Sequence, residues 1–258
     1  MLLVIDIGNT ESVLGIYTKE ALKTTWRISS QSSRTSDECW ILFRAWCENS
    51  GIDFAAFTGV VLSSVVPSLT AVFQQMVLKY LDLEPVLVTS KIDTGIQIQY
   101  KVPEHVGGDR ICNAVAGAML YGTPLIVVDL GTATTFDVVS SDRVYLGGAI
   151  ALGLMGASNE LHRVAAKLPR VDLVFPNAVI GKTTEESIQS GILWGMVTLI
   201  DGMVEKIISE MHWNQVYVVG TGGAASLIAG RSITIQHVNS VLTLEGMRLI
   251  YHRLHGQQ

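Results

Sequence analysis

Residues 2–10 read Leu2-Leu3-Val4-Ile5-Asp6-Ile7-Gly8-Asn9-Thr10, an apolar run that meets a carboxylate and then turns through glycine into two hydrogen-bonding side chains. A continuous Leu/Val/Ile run reads as a strand covered on both faces. The residues that follow supply an acid, a permissive backbone and polar groups at the strand's end. The design returns at Pro124 to Asp137, Pro-Leu-Ile-Val-Val-Asp-Leu-Gly-Thr-Ala-Thr-Thr-Phe-Asp, where Asp129, Gly131 and Thr132 echo Asp6, Gly8 and Asn9. Two such hooks predict two lobes facing one cleft.

Outward from the first hook, Ser12 to Thr18 and Thr24 to Ser29 complete a three-strand meander. Thr35 and Glu38 form a capping box that opens a helix to about Asn49, closed at Gly51. Val60 to Val66 reads as a strand, Ser68 as the cap of a helix to about Tyr80, and Pro85 to Thr89 as a short strand. The order repeats after the second hook. Strands at Leu125 to Val128, Phe136 to Ser140 and Val144 to Ile150 precede a long helix, Thr183 to Met211. A strand at Val216 to Val219, a Thr221-Gly222-Gly223 turn into a helix, and a strand at Ile233 to Val238 follow. The copies are offset by 123 residues, from Asp6 to Asp129, which is a duplication and not a solenoid. The pattern predicts an α/β fold of two ribonuclease-H-like lobes, with mixed sheets flanked by helices. It resembles the actin, sugar-kinase and chaperone-ATPase superfold, with residues 1–120 as the N-terminal lobe carrying an acceptor loop and 121–258 as the C-terminal lobe.

The bulk numbers narrow the partners. With 258 residues, 48% hydrophobic, the chain can fill one large core or two modest ones. A net charge of -5 gives no broadly basic face, so no nucleic-acid partner is expected. The longest apolar stretch, Leu146 to Ala157, is glycine-rich and too short to span a bilayer. Cys39, Cys47 and Cys112 lack Cys-x-x-Cys spacing and no basic leader precedes Leu2, which points to reduced thiols and a cytoplasmic location. The six histidines have no metal-ligand spacing. His252 and His255 read as a solvated tail, and His105 as the histidine nearest the acceptor loop. Trp26, Trp40, Trp46, Trp194 and Trp213 read as core or interface residues.

Glycine directly after a strand lets backbone amides approach phosphate oxygens, and Asn9 and Thr10 add side-chain donors, so Gly8 to Thr10 suits the phosphate tail of ATP. Asp6 and Asp129 would bracket the phosphates and Mg²⁺, a hard cation that prefers oxygen ligands. An isolated Asp-x-Gly is an ordinary tight turn; the second copy favours the binding reading. Gly107-Gly108-Asp109-Arg110 precedes an amphipathic helix carrying Ile111, Val115, Ala118 and Met119. Asp109 there is either a helix N-cap or a general base taking the proton of an acceptor hydroxyl, with Arg110 holding an anionic group. Tyr100 follows the alternating Ile96-Gln97-Ile98-Gln99. Thr183 and Glu186 form a second capping box, and Gly191, Gly195 and Gly202 along that helix call for the close approach of another helix, from the same chain or a second subunit.

Taken in order, Asp6-x-Gly8-Asn9-Thr10, Gly107 to Arg110, Asp129-x-Gly131-Thr132, Gly147-Gly148-Ala149-Ile150 and Thr221-Gly222-Gly223 resemble the type III pantothenate kinases. The resemblance implies ATP-dependent phosphorylation of the primary hydroxyl of pantothenate, the first step of coenzyme A synthesis. It further implies a cytoplasmic homodimer that uses a divalent ion, Mg²⁺, and a monovalent cation, K⁺ or NH₄⁺. By position it assigns ATP binding to Asp6, Ile7, Gly8, Asn9, Thr10, Glu11, Ser12, Val13 and Thr132. Pantothenate falls to Tyr100, Gly107, Gly108, Asp109, Arg110 and Thr184, the last possibly across a dimer, with Asp109 as the proton acceptor and Asp129 as the monovalent-cation ligand. The chain departs from the family pattern at Lys101-Val102-Pro103-Glu104-His105, at Gly108 and at Leu152. A kinase for another small alcohol, or a non-catalytic ATP-binding regulator, are the rival readings of the same fold.

Overall fold

The first run forms β1 (Leu2–Ile7), whose apolar side chains are all buried. It continues through the antiparallel strands β2 (Glu11–Thr18) and β3 (Ala21–Ser29). Helix α1 (Ser36–Asn49) starts at the expected box, in which the Thr35 side chain accepts from the Glu38 N–H while the Glu38 carboxylate accepts from the Thr35 N–H. Strand β4 (Gly59–Ser64) then lies parallel to β1, with Asp6 beside Ser63. Helix α2 (Pro67–Leu81) begins at Pro67 and not with a Ser68 cap. Proline loses nothing at the first helical position, because the N–H it lacks would have no partner there and its φ is already helical. Short strands β5 (Val86–Leu87) and β6 (Gln97–Ile98) precede α3 (Gly108–Leu120).

The second half repeats this plan. Strands β7 (Leu125–Leu130), β8 (Ala133–Val139) and β9 (Val144–Leu152) form an antiparallel meander. Helices α4 (Leu154–Val164) and α5 (Thr184–Glu210) follow, then β10 (Tyr217–Thr221) parallel to β7, α6 (Ala225–Ala229) and β11 (His237–Val238). The chain ends in α7 (Leu242–Leu254).

This computed structural model describes residues 1–30, 33–165 and 167–256. They fall into two units, one of Met1–Ala116 with the C-terminal stretch from Leu242, the other of Gly117–Val241. In the first unit the strand order is β3-β2-β1-β4-β5; the five strands that the second unit contributes run β9-β8-β7-β10-β11, the same order among those five. Each sheet has its own core. Leu3, Ile5, Phe43, Leu62, Phe73 and Met76 build the first, with Trp26 stacked on Trp46 and Trp40 on Tyr80 at its margin. Ile126, Val128, Phe136, Leu193 and Ile200 build the second, with Trp194 and Trp213 packed against it.

The units divide inside α3 and not after residue 120. His252 is not in a tail but half-buried in the last turn of α7, whereas His255 is exposed just past the helix end. Helix α7 belongs to the first unit although it follows the second in sequence. Leu244, Met247 and Ile250 are buried there, and the Tyr17 hydroxyl donates to Glu245 at 2.9 Å. Gly246 lets α7 cross α3 closely, since a Cβ on it would overlap the Cys112 carbonyl and lie 2.7 Å from Cys112 Cα.

Candidate active site

In the first unit the hook is built by two parallel strands. Asp6 ends β1 and faces Ser63 of β4, whose Oγ donates to Asp6 Oδ1 at 2.9 Å. After Ile7 the chain turns tightly, with the Gly8 N–H donating to the Glu11 carbonyl at 3.1 Å. A Cβ at Gly8 would sit 2.9 Å from that carbonyl oxygen. Asn9 and Thr10 are exposed at the tip, and Glu11, Ser12 and Val13 open β2, where Ser12 is buried and hydrogen-bonded to Ser30.

The acceptor loop lies in the same unit. A short turn at Pro103–His105 leads to Gly107 and Gly108, which line a cavity of about 470 Å³ with Ser64, Thr89, Lys91 and His105. The Ile111 N–H donates to the Gly107 carbonyl, so Gly107 holds the cap position and Asp109 lies inside the first turn of α3. The N-cap reading of Asp109 is thereby corrected. Its Oδ1 accepts from the Arg110 N–H at 2.8 Å. Burial pushes the Asp109 carboxyl above the usual carboxylate range, against the opposing pull of that N–H and of the Arg110 guanidinium. A Cβ on Gly107 would overlap Asp109 Oδ1, so the glycine leaves the carboxylate room. Gly108 is nearly as confined, since a Cβ there would lie 3.1 Å from the Val88 carbonyl and 3.2 Å from Ser63 Oγ. Arg110 is buried, whereas Tyr100, just after β6, is exposed and is not among the residues lining the cavity.

Two residues of this region were not singled out in the sequence, Ser63 as a partner of Asp6 and Cys112 one turn into α3. The thiol is fully buried, and burial together with the charges of Asp6 and Asp109 holds its pKa well above the usual thiol value. The register of β1 against β4 was the signal for Ser63; nothing in the sequence marked Cys112.

In the second unit Asp129 ends β7 beside Thr221 of β10. The following Gly222 has φ +87°, and a Cβ on it would overlap Asp129 Oδ1 and lie 2.8 Å from the Leu130 carbonyl oxygen. The turn after β7 closes through the Gly131 N–H to the Ala133 carbonyl, and Thr132 is exposed on it. Gly153, at the start of α4, presses on this turn, because a Cβ would come within 2.6 Å of the Gly131 carbonyl oxygen. Among the described residues no group of three or more His, Cys, Asp or Glu is placed to hold a metal ion.

Thr184 is the first residue of α5, after the Thr183/Glu186 capping box. It lines a second cavity, about 590 Å³, with Leu152, Leu161, Gly191, Gly195 and Leu199. No atom of the described residues other than the helix's own neighbouring backbone would meet a Cβ on Gly191, Gly195 or Gly202 within 4 Å. The helix expected to approach these glycines from within the chain is therefore not there.

Duplicated units of one strand order, each with an acid ending its first strand, define a member of the actin-like ATPase and sugar-kinase superfold. A ROK hexokinase from Thermus thermophilus superposes with a TM-score of 0.54 at 11% identity, covering 98% of this chain and 99% of its own. A Campylobacter jejuni structure described as a Baf family transcriptional activator gives 0.61 at 16%, covering 98% and 99%. The chain belongs to the type III pantothenate kinase family, whose model matches residues 2–206. The Type III pantothenate kinase of Geotalea daltonii is 48% identical over 253 residues, 98% of each chain.

Proposed function

We propose that this protein transfers the γ-phosphoryl group of ATP to the primary hydroxyl of pantothenate, the first step of coenzyme A synthesis. Family membership supports the reaction, and one observation carries the mechanism. Asp109, beside the glycines that line the acceptor-side cavity, is a carboxylate whose proton affinity burial has raised. A base of raised pKa is better matched to an alcohol proton than an exposed carboxylate. In the step the substrate oxygen attacks the γ-phosphorus, its proton passes to Asp109, and the bond to the β-phosphate oxygen breaks to release ADP. Arg110 offers a planar cationic donor to an anionic group of either substrate.

Residues 6–13 form the ATP phosphate loop on this reading, with Gly8 admitting the phosphates to the backbone, and Thr132 is assigned to ATP by its place in the family pattern. Mg²⁺ bound with ATP would supply neutralisation of the phosphate charge. Asp129, by its place in the family pattern, is the ligand of a monovalent cation, K⁺ or NH₄⁺; a resident divalent site would call for more carboxylates. Tyr100 and Thr184 complete the pantothenate site. Thr184 does so from a groove whose exposed Leu152 and uncovered glycines suit a second copy of the chain, hence a homodimer. Among the described residues no helix is long and apolar enough to cross a membrane, and the enzyme is assigned to the cytoplasm without nucleic-acid partners.

The test is Asp109→Asn, which keeps the shape and removes the base. Turnover of pantothenate with ATP, Mg²⁺ and K⁺ is expected to fall about 10²- to 10⁴-fold. Near-normal turnover would overturn the mechanism, and ATP consumption with other small alcohols but not pantothenate would reassign the substrate.

A further inference from the structure

Strands β4 and β5 run parallel, and the residues just beyond their C-terminal ends line the cavity of about 470 Å³. That is where parallel sheets take their ligands. The lining divides by chemistry. Val65, Val88 and Val106 supply apolar wall, and Gly107 supplies wall that lies against the base, since a Cβ on it would overlap Asp109 Oδ1. Among the described residues that line the cavity, Lys91 alone carries a permanent positive charge; Arg110 is buried and is not one of them. Lys91 Nζ lies 4.0 Å from Glu104 Oε1, with both side chains more than half exposed. An ion pair so long and so wet contributes little, so the carboxylate of a ligand can take the place of Glu104 at small cost. The backbone beneath the lysine is better held. Its N–H donates to Thr89 Oγ1 at 3.3 Å, and Asp93, two residues on, accepts from Arg253 of α7 at 2.9 Å. Three residues separate Glu104 from Gly107, at most about 11 Å of chain, short enough for one small molecule to span from the lysine to the wall against Asp109.

We propose that Lys91 anchors the carboxylate of the acceptor, turning the molecule so that its hydroxyl end meets Asp109 and its methyl groups meet Val65, Val88 and Val106. This deepens the assignment of the cavity to pantothenate and rests on it. Pantothenate is an alcohol beside a pair of methyl groups at one end and a carboxylate at the other, and the lining offers a base, an apolar wall and a cation. Lys91 touches no reacting atom. It selects acceptors that carry an anion, and Glu104 occupies its ammonium group until such an anion arrives. All of these residues lie in the first unit.

The experiment compares pantothenate with pantothenamide, its uncharged carboxamide of the same shape, by initial rates of ADP release for the wild type, K91R, K91Q and E104Q. The preference for pantothenate is read as the ratio of the two kcat/KM values. The wild type is expected to prefer pantothenate at least about tenfold. K91Q should lose about tenfold of that preference, through a raised KM for pantothenate more than through kcat. K91R, which keeps the charge, should retain most of it. E104Q, which removes the competing carboxylate, should increase it about two- to threefold. The Lys91 side chain is 74% exposed, so its replacement leaves folding intact. A K91Q preference within twofold of wild type, equal losses in K91R and K91Q, a fall in E104Q, or a wild type that uses both acceptors equally would each overturn the anchor and leave pantothenate as substrate. A wild type that uses neither acceptor overturns the pantothenate reading and the anchor together. Should D109N keep normal turnover, the catalytic role of Asp109 fails while the preference ratio still judges Lys91.

Discussion

The two hooks are the same device built with different neighbours. In each unit the acid ends the first strand of a sheet of identical order and lies beside the fourth strand in parallel register, Asp6 against Ser63 and Asp129 against Thr221. In the first unit the neighbouring strand answers the carboxylate with a hydroxyl hydrogen bond. In the second, the next residue is a glycine at positive φ whose missing side chain leaves the carboxylate its space. A duplicated fold thus supplies the position of an acid, and the residue beside it differs, a hydroxyl donor in one unit and a glycine in the other. The same contrast recurs after the fifth strand. There the first unit starts α3 with Gly108-Asp109, while the second unit ends in a turn at Asn239, whose side chain merely accepts from the Val241 N–H. One unit gained a base at this point and the other a turn.

The largest expected effect exploits that asymmetry. Asp109→Asn should abolish most turnover and yet make the protein more stable near neutral pH. The native pKa of Asp109 is raised, so the folded state binds its proton more tightly than the unfolded chain does. Stability contributed by this group is then greatest in acid and declines as pH rises from the unfolded value, near 4, to the raised native one. Asparagine removes the buried charge and with it the decline. Thermal melts across pH 4 to 8 should show the variant gaining on the wild type as pH rises, and the acid limb of wild-type kcat/KM should lie above the ordinary carboxylate range. A variant that loses stability as pH rises would contradict the burial argument.

Next in size is the pair Gly222→Ala and Gly8→Ala. At Gly222 an added methyl faces a positive φ, the Asp129 carboxylate and the Leu130 backbone together, and a loss of about 2–4 kcal/mol is expected. At Gly8 the added methyl meets one carbonyl at 2.9 Å and no positive φ, so about 1 kcal/mol is expected. Denaturant unfolding measures both. Equal losses would mean that the two hooks are packed alike, contrary to the geometry. The cation dependence of turnover should change in the Gly222 variant and remain in the Gly8 variant.

Most of this architecture was legible in the residues because it rests on local signals. Buried strands such as Leu2–Ile7 are unbroken apolar runs, and both capping boxes, Thr35/Glu38 and Thr183/Glu186, formed as spelled. What escaped was set by long-range packing. Helix α4 buries only Leu154 in a segment of Gly, Ser and Asn, so its periodicity carried little signal. Helix α7 has a buried stripe at Leu244, Met247 and Ile250, but two histidines near its end read as a solvated tail, and no local rule says that a final helix returns to the first sheet. The candidate site divides the same way. Asp109 stood out beside its glycines, whereas the Ser63 partner of Asp6 required strand register, and the thiol behind it required the fold.

The smallest effect bears on the helices between the third and fourth strands, where the units differ most. In the first unit this position holds α1, 14 residues long, whose Phe43 is covered by Trp26, Trp40 and Phe57 of the same unit. In the second it holds α4 and the 27-residue α5, whose glycines meet nothing in the chain. Gly195→Ala should therefore stabilise an isolated subunit by about 1 kcal/mol through helix propensity alone. If a second copy packs on this face, as the homodimer reading holds, the new methyl enters a close helix contact and weakens association by about 1–3 kcal/mol. Sedimentation equilibrium is expected to show a raised dimer dissociation constant, and the thermal midpoint should fall below wild type at high protein concentration, where subunit binding contributes most, and not at low concentration, where only the isolated subunit is left. A midpoint that rises by a few degrees regardless of concentration would move any dimer contact off the glycine face and leave the exposed stripe of α5 without its partner.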